Sequence, residues 1–128
     1  MKKILIIEDH ADMRELLTWQ VELMGFAALT AKQGTEGLEK AQRENPDLII
    51  LDIMMPGMDG WQAARELKGN PVTKNIPILA ATALFRDNDL KTCMDSGCNG
   101  YIVKPFTFQE LQGKVKELIP AVDVTFSR

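Results

Sequence analysis

Several stretches of the chain carry apolar residues with no polar interruption. They are Ile4-Leu5-Ile6-Ile7, Leu48-Ile49-Ile50-Leu51, Ile78-Leu79-Ala80-Ala81 and Tyr101-Ile102-Val103. A run apolar at every position needs burial on both faces, which is the signature of a central strand in a parallel sheet. The 48–51 run is the one around which the rest is organised. Asn45-Pro46 before it and Pro56-Gly57 after it leave too little room for the rival reading, a buried helix. A shorter strand is predicted over 26–31.

Between the runs the spacing changes to that of helices. Asp12 is the predicted N-cap of the first, with Met13, Leu16, Leu17, Val21 and Met24 on one face and Gly25 as its stop. A second helix is predicted over 34–44 with Leu38 and Ala41 inward, closed by Pro46. A third runs over 61–67 and ends near Gly69-Asn70-Pro71. A fourth covers 87–96 and stops at Gly97. Thr107 caps the last, whose inward positions are Phe108, Leu111, Val115, Leu118 and Ile119, with Pro120 as its end. Gly113 inside it costs about 1 kcal/mol relative to Ala. Strand and helix alternate about five times, so the fold class is α/β. The sheet is parallel and doubly wound, with helices on both faces.

Composition narrows the picture. The 128 residues fit one domain, 45% hydrophobic and 26% charged, and the formal net charge of −3 gives no attraction to nucleic acid or anionic lipid. No apolar stretch is long enough to span a membrane. The run after Met1-Lys2-Lys3 meets Glu8-Asp9 too soon for a signal peptide. Two cysteines, Cys93 and Cys98, fit a reduced, cytoplasmic protein and read as core or loop thiols.

The chemistry gathers where the strands end. The first strand delivers Glu8 and Asp9, the central one Asp52, the next Thr82 and the last Lys104. In a parallel sheet these all lie at the carboxyl edge, where ligands of open α/β sheets bind. Crowded carboxylates repel one another and call for a cation, and an all-oxygen set suits Mg²⁺. Lys104 supplies a point charge for a phosphate and Thr82 a hydroxyl donor. One divalent ion and one lysine neutralise the three carboxylates, so a phosphoryl group can enter, with Asp52 as its nucleophile.

In these residues the chain resembles the receiver domains of two-component response regulators, the chemotaxis regulators among them. The resemblance rests on Glu8-Asp9, Asp52 with Met55-Pro56-Gly57-Met58-Asp59-Gly60, Thr82-Ala83, and Tyr101 with Lys104-Pro105-Phe106. It implies a flavodoxin-like fold with strand order 2-1-3-4-5. It further implies a receiver over 1–120 with a short tail over 121–128. Asp52 would be the phosphoacceptor. Asp9, Asp52 and the Met54 carbonyl would be Mg²⁺ ligands, with Glu8 acting largely through water. Lys104 would hold the phosphoryl group, Thr82 and Tyr101 would form a switch pair, and Lys104–Pro105 would be cis. The implied partners are a sensor histidine kinase or phosphotransfer protein and an output protein on the face of the fourth helix, fifth strand and fifth helix, with no direct nucleic acid and no membrane. Asn99 and Gly100 stand where winged-helix regulators usually carry acidic residues, so that subfamily's charged dimer face is not expected.

Two rivals are weaker. A Mg²⁺-dependent phosphatase working through an aspartyl-phosphate needs a general acid near the nucleophile, and Met54 cannot move protons. A nucleotide- or flavin-binding module needs a phosphate cradle after the first strand, where Glu8-Asp9-His10-Ala11-Asp12 is acidic. Taken singly, Thr82 and Tyr101 are ordinary strand residues, His10 a loop residue near the site with no chemical role, and Met54, Met55 and Met58 packing or loop residues.

Overall fold

The computed structural model describes residues 1–54, 60–83 and 87–119, with no side-chain detail at 87–90. The predicted loop residues Met55 to Asp59, the stretch from Leu84 to Arg86, and the residues from Pro120 on lie outside the described residues.

Among the described residues five strands and five helices alternate: β1 Lys3–Ile7, α1 Ala11–Leu23, β2 Ala27–Ala31, α2 Gly34–Glu44, β3 Leu48–Asp52, α3 Gly60–Gly69, β4 Ile78–Thr82, α4 Asp87–Asp95, β5 Gly100–Val103 and α5 Phe108–Leu118. The sheet is parallel throughout, in the order β2-β1-β3-β4-β5. The apolar runs explain this order. β1, β3 and β4 have both faces covered, and β3 and β4 are buried at every position.

Alternate residues feed two cores. Leu5, Ile7, Ile49, Leu51, Ile78 and Ala80 pack under α2, α3 and α4, through Ala41, Ala63, Leu67 and Cys93. Ile4, Ile6, Leu48, Ile50, Leu79 and Ala81 pack under α1 and α5, through Leu17, Val21, Leu111 and Val115. Each large aliphatic side chain so buried contributes about 1.5–3 kcal/mol.

The helix ends agree with the sequence in part. Gly25 takes φ +94° and Gly97 φ +98°, the left-handed stops expected of them. Thr107 caps α5 in a full capping box with Glu110. The start of α1 is a correction. His10, not Asp12, is the N-cap, because Arg14 N already donates to the His10 carbonyl at 2.9 Å. Asp12 sits instead in the first turn, where its charge favours the positive helix end. Leu16 is a second correction. The buried stripe runs through Leu17, Gln20 and Val21, which turns Leu16 outward to 42% exposure.

Gly60 fixes how β3 meets α3. Its N–H donates to the Ile53 carbonyl at 3.0 Å. A Cβ there would overlap Ile53 Cα and come within 2.9 Å of the Asp52 carbonyl. The bare backbone lets the helix begin directly against the strand end that carries Asp52.

Candidate functional site

Parallel strands bring every strand's last residue to one edge, and the structure gathers Glu8, Asp9, Asp52 and Lys104 there. Ile7 pairs with Leu51, so Glu8 and Asp52 are neighbours one step beyond the paired ends. Both are almost fully buried, at 1% and 3% exposure. Lys104 reaches them from beyond β5. Its Nζ lies 3.3 Å from Glu8 Oε1 and 3.3 Å from Asp52 Oδ1. The Lys104–Pro105 peptide is cis.

One ammonium between two buried carboxylates leaves negative charge uncompensated. Met54 N donates to Asp52 Oδ1 at 3.1 Å. Asp52 Oδ2 and Asp9 Oδ1 are buried and accept no hydrogen bond among the described residues. Burial, and then the facing Glu8 carboxylate, push Asp52 from its ordinary 3.8 up to about 6, against the opposing pull of Lys104 and the Met54 N–H. A buried carboxylate oxygen without a donor is the feature a bound cation would satisfy. One ligand atom from each of Glu8, Asp9, His10 and Asp52 falls within 4.8 Å of the rest. The donor set thus fits a divalent ion, and Asp9 and Asp52 hold the free oxygens.

Thr82 ends β4 beside this group and is buried at 1% exposure. The Lys104 N–H donates to the Thr82 carbonyl at 2.8 Å, which ties the lysine to the threonine strand. Tyr101 stands apart from the carboxylates. It pairs with Ala80 in the register, packs half-buried on the α3–α4 side, and has the Lys114 ammonium 5.4 Å from its ring centre. Met54 is 58% exposed.

Two further residues shape the site. His10 lies near the site, as its place after Asp9 implied, and directly against the carboxylates. Its Nδ1 lies 3.2 Å from Glu8 Oε2 and 3.4 Å from Asp9 Oδ1, and its N–H also donates to Glu8 Oε2 at 3.1 Å. Arg14 donates through Nη1 to the Glu8 carbonyl at 2.9 Å and the Asp9 carbonyl at 3.4 Å, pinning the β1–α1 loop. Position four from His10 on a helix was the available signal, since it folds back over the loop that precedes the cap.

Residues 4–116 match the response regulator receiver domain family. A probable transcriptional regulator of Porphyridium aerugineum, ycf27, is 36% identical over 122 residues, 95% of this chain and 50% of that protein. The chain spans about half the length of the curated relatives it matches first. The chemotaxis protein CheY4 of Vibrio cholerae superposes with a TM-score of 0.88 at 29% identity, covering 92% of this chain and 98% of that one. The receiver domain of a Pseudomonas aeruginosa sensor histidine kinase superposes with a TM-score of 0.87 at 28% identity, covering 94% and 98%. That structure holds a magnesium ion coordinated in its active-site cleft.

Proposed function

Because the chain belongs to the response regulator receiver family, we propose that it accepts a phosphoryl group on Asp52 and converts that event into a change of its partner-binding face. The observation that carries this reading is Asp52 itself: buried, at the end of the central strand, with Oδ2 free of any hydrogen bond among the described residues. One oxygen of the Asp52 carboxylate attacks phosphorus as the bond to the donor's leaving group breaks, and the other is left to face the cation. Glu8, Asp9, Asp52 and the Met54 carbonyl are the groups that would hold Mg²⁺, which when bound offsets the carboxylate charge and the charge on the entering phosphoryl oxygens. Lys104 already spans Glu8 and Asp52, so it can follow the charge outward to the new oxygens. The phosphodonor is a sensor histidine kinase or phosphotransfer protein.

The output follows from the strand neighbours. Phosphorylation adds negative charge and acceptor oxygens beside Thr82, whose hydroxyl turns to donate to one of them. Tyr101, two residues back on the paired register, then moves inward and alters the face of α4, β5 and α5. A partner that prefers the new face strengthens phosphorylation in turn, by linkage.

One experiment tests both steps. The protein is incubated with Mg²⁺ and acetyl phosphate and then weighed intact, with Tyr101 ring resonances followed in parallel. Wild type should gain one phosphoryl group and Asp52→Asn none. Thr82→Ala should gain it while the Tyr101 resonances stay near their resting positions. A gain by Asp52→Asn at the wild-type rate would overturn the assignment. Repeated turnover of the phosphodonor, with release far beyond one equivalent and no slow decay step, would favour a phosphatase instead.

A further inference from the structure

The acidic pocket holds one donor that oxygen chemistry does not call for. His10 follows Asp9 directly, and its Nδ1 faces Glu8 Oε2 at 3.2 Å and Asp9 Oδ1 at 3.4 Å. With Glu8, Asp9 and Asp52 it completes a set of four ligand atoms within 4.8 Å of one another. At the deep end of that set lies Asp52, 3% exposed, with an oxygen that accepts no hydrogen bond among the described residues. At the shallow end the His10 side chain is 73% exposed, so its ring can turn about its side-chain bonds without disturbing the core.

The two kinds of donor discriminate between ions. Mg²⁺ takes oxygen ligands, keeps several waters and gains little from a nitrogen. First-row transition ions gain much from imidazole, and their affinities rise along the series towards nickel and copper. A single imidazole at the mouth of a carboxylate pocket therefore shifts selectivity more than it shifts the binding of Mg²⁺.

We propose that His10 is a specificity-determining metal ligand, whose Nδ1 gives the pocket of Glu8, Asp9 and Asp52 a nitrogen donor that favours transition ions such as Ni²⁺ over Mg²⁺. The proposal rests on the reading of this pocket as a divalent-cation site. Binding requires the Nδ1 lone pair to face the ion, with the ring proton on Nε2 towards solvent. The present contact with Glu8 is exchanged for the metal.

The test is calorimetric titration of the untagged 128-residue chain with Ni²⁺ and, separately, with Mg²⁺. Wild type is compared with His10→Ala and His10→Gln. His10 is the one histidine in the sequence, so no other imidazole can contribute. Ni²⁺ affinity should fall at least about tenfold in both variants while Mg²⁺ affinity stays within about twofold. The His10 ring protons of wild type should broaden at substoichiometric Ni²⁺. If both ions bind and their affinity ratio is the same in wild type and variants, His10 is not a ligand, although the oxygen site stands. If neither ion binds wild type, this proposal and the reading beneath it both fall.

Discussion

At the amino edge of the sheet, Asp47 accepts a hydrogen bond from Lys3 N at 2.8 Å and faces the Lys2 ammonium at 3.8 Å, while Glu44 faces Lys3 at 3.7 Å. These side chains are 36–43% exposed, so water screens them and each carboxylate has a cation of its own. At the carboxyl edge, Glu8 and Asp52 are buried and share Lys104, and Asp52 keeps an oxygen with no donor among the described residues. The same residue types thus occur at both ends of the same strands. Burial and the ratio of cations to carboxylates separate a surface that holds the fold from a site that holds charge in reserve. A protein keeps such an imbalance where a ligand is to resolve it.

The largest expected effect breaks the carboxyl edge. Lys104→Ala leaves two buried carboxylates facing each other, and should lower stability by about 3 kcal/mol at neutral pH without metal. Urea unfolding at pH 7 checks this, and addition of Mg²⁺ should recover much of the loss. Stability within about 0.5 kcal/mol of wild type would mean that the carboxylates are not coupled through the lysine.

Next comes the charge on Asp52. Its folded value lies above its ordinary one, so its contribution is intact below about pH 4 and is lost as pH rises through about 6. Asp52→Asn removes that loss. The variant should match wild type near pH 4 and exceed it by on the order of 2 kcal/mol above pH 6.5, in the absence of metal. Unfolding curves at a series of pH values give the difference directly. A difference that stays flat across this window would contradict the burial of an ionised Asp52.

The smallest effects belong to the amino edge. Asp47→Ala removes an acceptor from Lys3 N and should cost about 1 kcal/mol. Lys2→Ala removes an exposed ion pair and should stay within about 0.5 kcal/mol of wild type. Neither change should depend on Mg²⁺. A metal-dependent response at Asp47 would erase the distinction between the edges.

How much of this was legible in the sequence depended on how local each cause was. Leu48-Ile49-Ile50-Leu51 admits burial on both faces whatever surrounds it, and the strand order agrees with the order implied by the family resemblance. Carboxylates placed at the ends of parallel strands must converge, so the gathering of Glu8, Asp9, Asp52 and Lys104 was legible too. The start of α1 was not. Asp12 has the chemistry of a cap, but the chain turns two residues earlier, because Arg14 folds back over the loop and fixes the Glu8 and Asp9 carbonyls. His10 was legible as a residue near the site, but the contact of its ring with both carboxylates depends on how the helix starts, and no spacing rule carries that. Leu16 shows the limit of apolar periodicity, since it lies at the edge of a stripe that Leu17 and Val21 centre.

The charge difference between the two edges is tested most directly by following backbone amide shifts during a Mg²⁺ titration of the unphosphorylated protein. Saturable shifts should appear at residues 8–10 and 52–54, fade along β4, and be absent at Lys3, Glu44 and Asp47. Asp52→Asn should weaken the response at residues 8–10 as well as at its own position. No localised response at millimolar Mg²⁺, or an equal response at Glu44 and Asp47, would contradict the claim that the carboxyl edge alone holds charge in wait for a cation.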